Sequence, residues 1–269
     1  MLKKRILTSL LGTPLIIAAI WFDRPAPWFT IVMAVWGVLA VYEFYKITNT
    51  TKILPLTIFG LVWTLLFILS PHFHDPLYTP LLITTAVVVP LIGLILRREK
   101  EGSFVSWVWM IAGIFYVGWM LSHFVALRGV ADGRNWVFFA MFTTWASDTI
   151  AYFVGRRFGK HKLAPSISPG KTWEGAIGGL IGAAAISILF FTPTPLQLPL
   201  ASWQAILLGI LVSVIGQIGD LAESLLKRNV GVKDSGTLVA GHGGFLDRID
   251  SVVFAGVAVY YYVVFTTIY

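Results

Sequence analysis

WVFFAMFTTWASDTIAYFVG, residues 136–155, carries a single formal charge, Asp148. A helix of this length rises about 30 Å, the thickness of a bilayer's hydrocarbon core, so the stretch reads as a membrane-spanning helix. Asp148 stands about 18 Å along that helix from Trp136, well inside the bilayer. A carboxylate at such depth is costly, and an intramembrane acid marks function by default, with a helix-packing partner as the structural alternative.

Eight more apolar runs surround it, at about 6–22, 28–45, 53–70, 77–96, 104–127, 174–191, 203–224 and 250–268. Each comes near the ~20 residues a transmembrane helix needs. The 269-residue chain is 57% hydrophobic and 12% charged, outside the range of a soluble globular domain. The expected fold is all-α: a polytopic integral membrane helix bundle of about nine transmembrane helices. The first run follows Lys3, Lys4 and Arg5 and leads into Asp23-Arg24-Pro25 without a small-residue cleavage site. It therefore reads as an uncleaved span rather than a signal peptide. The absence of cysteine excludes disulfides, thiolate metal sites and cysteine nucleophiles. The formal charge of +7 serves orientation and attraction to anionic lipid in a membrane protein, and no nucleic-acid partner is expected.

Threading the spans alternately puts 17 of the 20 basic residues on one side. That side takes Lys3, Lys4, Arg5, Lys46, Lys52, Arg97, Arg98 and Lys100, then the loops 156–173 and 225–249. Arg24, Arg128 and Arg134 fall on the other. By the positive-inside rule the N-terminus and both long polar loops are cytoplasmic and the C-terminus is not.

Outside the polar loops the chemistry is sparse. Glu43 and His123 sit near span ends, where a solvated or hydrogen-bonded structural role is expected. His72, His74 and Asp75 surround Pro71 and read as a solvated turn rather than a metal site. Gly175, Gly178, Gly179 and Gly182 form a small-residue face, most economically an intramolecular contact, with a homodimer as the alternative. Gly170-Lys171-Thr172 is no P-loop, because Pro165 occupies the position of the first glycine and a membrane helix precedes the loop. It reads instead as a basic segment at a helix N-terminus, where free N–H groups favour phosphate.

The most polar segment is Ser224–Asp250, SLLKRNVGVKDSGTLVAGHGGFLDRID. Cations alternate with carboxylates around a Gly-His-Gly-Gly elbow, a pattern suited to a metal-bound polyphosphate: carboxylates for the metal, Lys and Arg for phosphate oxygens, glycines for close backbone approach. Just before it, Asp220, Ser224 and Lys227 are four and three residues apart and share a helix face, with Glu223 as a further ligand or a surface acid. Threading brings Asp148, Asp220, Asp247 and Asp250 towards one leaflet.

This segment closely resembles the signature of the phosphatidate cytidylyltransferases, or CDP-diacylglycerol synthases: a Ser before Lys227-Arg228, then Lys233-Asp234, His242-Gly243-Gly244, and Asp247-Arg248-x-Asp250. Ser147–Gly175, SDTIAYFVGRRFGKHKLAPSISPGKTWEG, is similar to a second region of the same family. Ala240 and Ile150 depart from the family's usual Pro and Gly. The resemblance implies transfer of CMP from CTP to phosphatidic acid at the cytoplasmic face of a membrane, the bacterial inner membrane, with release of pyrophosphate. It assigns one or two Mg²⁺ ions to Asp220 and Asp247, with Asp250 and Asp148 as further ligands or supports. Asp220, Asp247, Asp250, Lys227 and Arg248 become the expected catalytic residues, and Lys171, Thr172, Ser224, Arg228, Lys233 and His242 the expected nucleotide- and phosphate-binding set. Residues 1–135 are then scaffold and lipid-facing helices and 136–269 the catalytic region, in one integrated membrane domain. Two rival readings are an ion-coupled transporter, against which the acids cluster at one face, and a headgroup transferase of the CDP-alcohol class. The latter fails because Asp132-Gly133 continues as Arg134-Asn135.

Overall fold

The computed structural model describes residues 2–23, 27–97, 101–236 and 243–268, with side chains from 12 to 266 within those ranges. The described residues form nine principal helices, together with short 3₁₀ turns: α1 (Leu2–Trp21), α2 (Trp28–Ile47), α3 (Leu54–Leu69), α4 (Tyr78–Leu96), α5 (Ser103–Gly129), α6 (Gly133–Phe158), α7 (Trp173–Ser187), α8 (Ser202–Asn229) and α9 (Asp250–Ile268). Each expected span has its helix. Among the described residues seven helices are long and apolar enough to cross a membrane, and the described apolar parts of the terminal two, Gly12–Trp21 and Asp250–Thr266, are shorter. The protein is a polytopic integral membrane bundle. One element was not anticipated: the 156–173 loop contains an antiparallel hairpin, β1 (Lys162–Ala164) with β2 (Ser168–Thr172).

The chain divides into two compact units, Met1–Ala126 with Asp234–Asp247, and Leu127–Lys233 with Arg248–Tyr269. The first boundary falls inside α5, and much of the expected C-terminal polar loop belongs with the N-terminal helices.

In the first unit α2, α3 and α5 pack around Tyr45, which is fully buried and donates to the Met110 carbonyl at 3.0 Å. Its ring occupies the space that a side chain at Gly60 or Gly113 would fill. Helix α5 passes through a π-helical stretch at Ile114–Trp119, where Gly118 lies against the backbone of Thr64. Helix α4 is the least enclosed, with Leu81, Ile92, Ile95 and Leu96 all exposed, as a lipid-facing helix requires.

The second unit is built on glycine contacts. Gly178 meets Val154, Gly179 meets Ser147 and Gln217, Gly182 meets Ile150, and Gly175 meets the Ala151 carbonyl, so α6 and α7 touch almost backbone to backbone. The small-residue face is thus used within the chain, and Gly182 leaves room for Ile150. On the other side of the bundle Gly209 abuts Ser187 and Gly219 abuts the Asp250 carbonyl and the Phe254 ring, drawing α8 against α7 and α9. Because these helices run antiparallel in turn, the C-terminal ends of α6 and α8 and the N-terminal ends of α7 and α9 gather at one end of the unit.

Candidate active site

That end of the second unit carries the acids. Asp148 projects from α6, Asp220 from α8 and Asp250 from the first turn of α9, close enough for the three to interact electrostatically. Lys171 at the end of β2 sets its Nζ 2.8 Å from Asp220 Oδ2. Asp148 also feels the charges of Lys171 and Arg248 and faces the Ser251 hydroxyl, while Asp250 Oδ1 accepts from the Ser251 amide at 2.8 Å. Asp148 keeps an accessible surface. Lipid would not tolerate a bare carboxylate, so this polar face is what justifies an acid in the span.

The helical face expected of Asp220, Ser224 and Lys227 forms only in part. Ser224 Oγ reaches Asp220 Oδ1 at a long 3.5 Å, whereas Lys227 Nζ pairs with Glu223 Oε2 at 2.6 Å. The Glu223 side chain is fully buried, which rules out the surface-acid reading, and Lys227 is 14% exposed. The pair is electrically neutral, so Asp148, Asp220 and Asp250 against Lys171 and Arg248 leave one net negative charge.

The hairpin presents Lys171 through local bonds. Thr172 ends β2 in an extended conformation and caps α7, its Oγ1 accepting from the Gly175 amide at 3.1 Å. Gly155 and Gly159 both lie against the Thr172 side chain. Glu174 in the first turn of α7 accepts from the amides of Lys160 and His161 at 3.1 and 3.2 Å and pairs with His161 Nδ1 at 2.6 Å. Arg228 donates from Nε to the Ile167 carbonyl at 3.1 Å, holding the hairpin turn to the end of α8. Lys233 and Arg248 are exposed.

Asp247 lies in the first unit. Its carboxylate accepts from the Gly244 amide at 2.8 Å and the Ser235 amide at 3.1 Å. Gly243, at φ 84°, takes the left-handed conformation that admits this turn, and a side chain there would also strike Asp247. Glu43 of α2 is 2% exposed, not solvated. Its Oε2 accepts from the Leu246 amide at 3.0 Å and from Ser235 Oγ at 3.2 Å. His242 lies outside the described residues. His123 is buried with Nδ1 2.8 Å from the Trp119 carbonyl, and His72 Nε2 meets Thr30 Oγ1 at 2.9 Å.

Among the described residues no three His, Asp or Glu side chains stand as a ready metal cage. The donor chemistry of Asp148, Asp220 and Asp250 does fit a hard divalent ion: all-oxygen ligands, mutually repelling and incompletely neutralised.

From residue 3 to residue 266 the sequence matches the model of the cytidylyltransferase family, and the chain belongs to that family. Three relatives are each named phosphatidate cytidylyltransferase. The Bacillus subtilis protein is 32% identical over 257 residues, 94% of each chain. That of Brucella abortus is 34% identical over 264 residues, 96% of this chain and 92% of the relative. That of Staphylococcus haemolyticus is 43% identical over 166 residues, 61% of this chain and 62% of its own.

Proposed function

We propose that the protein transfers CMP from CTP to phosphatidic acid, giving CDP-diacylglycerol and pyrophosphate, at the cytoplasmic face of the membrane. The observation that carries this reading is the gathering of Asp148, Asp220, Asp250 and Lys171 at one end of a membrane-embedded unit in a chain of the cytidylyltransferase family. An acid cluster at the end of a bundle is where an anionic lipid headgroup and a water-borne nucleotide can meet.

A phosphate monoester has its second pKa near 6, so phosphatidic acid is largely dianionic at neutral pH. Its phosphate oxygen attacks the α-phosphorus of CTP, the bond from that phosphorus to the β-bridging oxygen breaks, and pyrophosphate leaves with the electron pair. No general base is required, and the carboxylates are free for another task. Mg²⁺, when bound, would neutralise polyphosphate oxygens and the developing charge on pyrophosphate. Asp220, Asp148 and Asp250 would hold it, and Asp247 is the further acid with this role. Lys171, Lys227, Arg228, Lys233 and Arg248 offset repulsion between two polyanions, while Thr172 and Ser224 supply hydroxyls and His242 a phosphate contact.

Purified protein in detergent with Mg²⁺ should release pyrophosphate only when CTP and phosphatidic acid are both present. Release from CTP alone, or none with any nucleotide, would overturn the proposal.

A further inference from the structure

We propose that Glu43 is the positioning residue for Asp247, an N-terminal helix thereby setting the geometry of a carboxylate at the far end of the chain. The inference rests on the role given above to Asp247.

Glu43 is buried, and a buried carboxylate persists only where hydrogen bonds replace the water it has lost. Its donors among the described residues come from the segment that holds Asp247: the Ser235 hydroxyl, the Leu246 amide and the backbone at Phe245. Ser235 is itself 2% exposed and divides its two donors, hydroxyl to Glu43 and amide to Asp247. Further along the chain the Gly244 amide donates to Asp247 and the Leu246 amide, two residues on, to Glu43. Ser235 and the Gly244–Leu246 stretch are thus each tied to both acids. The two like charges repel, and the intervening hydroxyl and amides fix the separation at which they rest.

The glycines report the same design. A side chain at Gly236 or at Gly244 would run into the Glu43 carboxylate, so these positions are glycine where the backbone comes closest to this residue. A plain hydrophobic anchor at position 43 would hold a loop down but would orient neither the Ser235 amide nor the Gly244–Asp247 turn.

The test compares Glu43→Gln, Ser235→Ala and Asp247→Asn in full-length detergent-purified protein. Two readouts are taken: turnover against Mg²⁺ concentration, and the rise in melting temperature that Mg²⁺ with CTP produces. Losing a group that orients a metal-binding carboxylate costs about 10- to 100-fold in metal affinity or activity. Glu43→Gln should therefore raise the Mg²⁺ concentration for half-maximal turnover about 10-fold and shrink the Mg²⁺-dependent thermal shift, with the apo melting temperature little changed. Ser235→Ala, which deletes one hydroxyl and decides the matter if Glu43→Gln does not fold, should move both readouts the same way. Wild-type Mg²⁺ dependence in these variants alongside an inactive Asp247→Asn would overturn the positioning role alone. Full turnover by Asp247→Asn would instead sink the role given to Asp247.

Discussion

Lys171 is the residue on which the acid cluster turns. It lies 2.8 Å from Asp220 with its side chain 22% exposed, so the pair is partly screened and its value lies in placing a cation beside Asp220 and Asp148 rather than in stability. Asn is nearly isosteric with Asp but neutral, so Asp220→Asn should keep the end of α8 packed while lowering turnover about 100-fold, with added Mg²⁺ restoring at most part of it. Near-normal turnover at ordinary Mg²⁺ would remove Asp220 from the metal set. Lys227 is a different case. Its partner Glu223 is fully buried, and taking away one member of such a pair leaves a charge without its counterion. Lys227→Met should destabilise the protein by about 3 kcal/mol, seen as a lower melting temperature before any substrate is added. An unaltered melting temperature would confine Lys227 to substrate binding.

Elements position these residues by caps and close contacts. Thr172 both ends β2 and caps α7, so one hydroxyl fixes the junction from which Lys171 projects. Thr172→Ala should cost about 1 kcal/mol and lower turnover more than Ser168→Ala, which removes a hydroxyl without a described cap. Equal effects would separate the cap from the chemistry. Gly219 lets α8 meet the first turn of α9, where a Cβ would be 2.6 Å from the Phe254 ring and closer still to the Asp250 backbone. Neither helix backbone can yield cheaply, so Gly219→Val should push Asp220 and Asp250 apart and sharply reduce the yield of folded, extractable protein. Gly93, where an added methyl group would meet nothing within 4 Å, is the control, and Gly93→Ala should be harmless.

For the whole molecule, the 17 to 3 division of basic residues is the strongest topological statement available. Single cysteines placed near Lys46 and near Gln197 in this cysteine-free chain should label from opposite sides of the membrane with an impermeant reagent. Labelling of both from one side would break the nine-span threading. The membrane class, the helix count and the family were legible in the sequence, because hydropathy runs and motif spacing record constraints that act along the chain; of the expected acids, the structure brings Asp148, Asp220 and Asp250 together at one end of the second unit. The hairpin was not legible, since its short polar strands lack any apolar alternation. Glu223 looked equally suited to ligand or surface until its burial beside Lys227 was seen, and Glu43 looked like an interfacial acid. Its partners Ser235 and Leu246 are 192 and 203 residues away, and no periodicity connects positions so distant. Sequence thus determined which chemistry the chain carries. Tertiary structure decided which carboxylates meet at one end of a helical unit and that buried Glu43 shares the Ser235 donors with Asp247, because hydrogen bonds and desolvation act on neighbours in space.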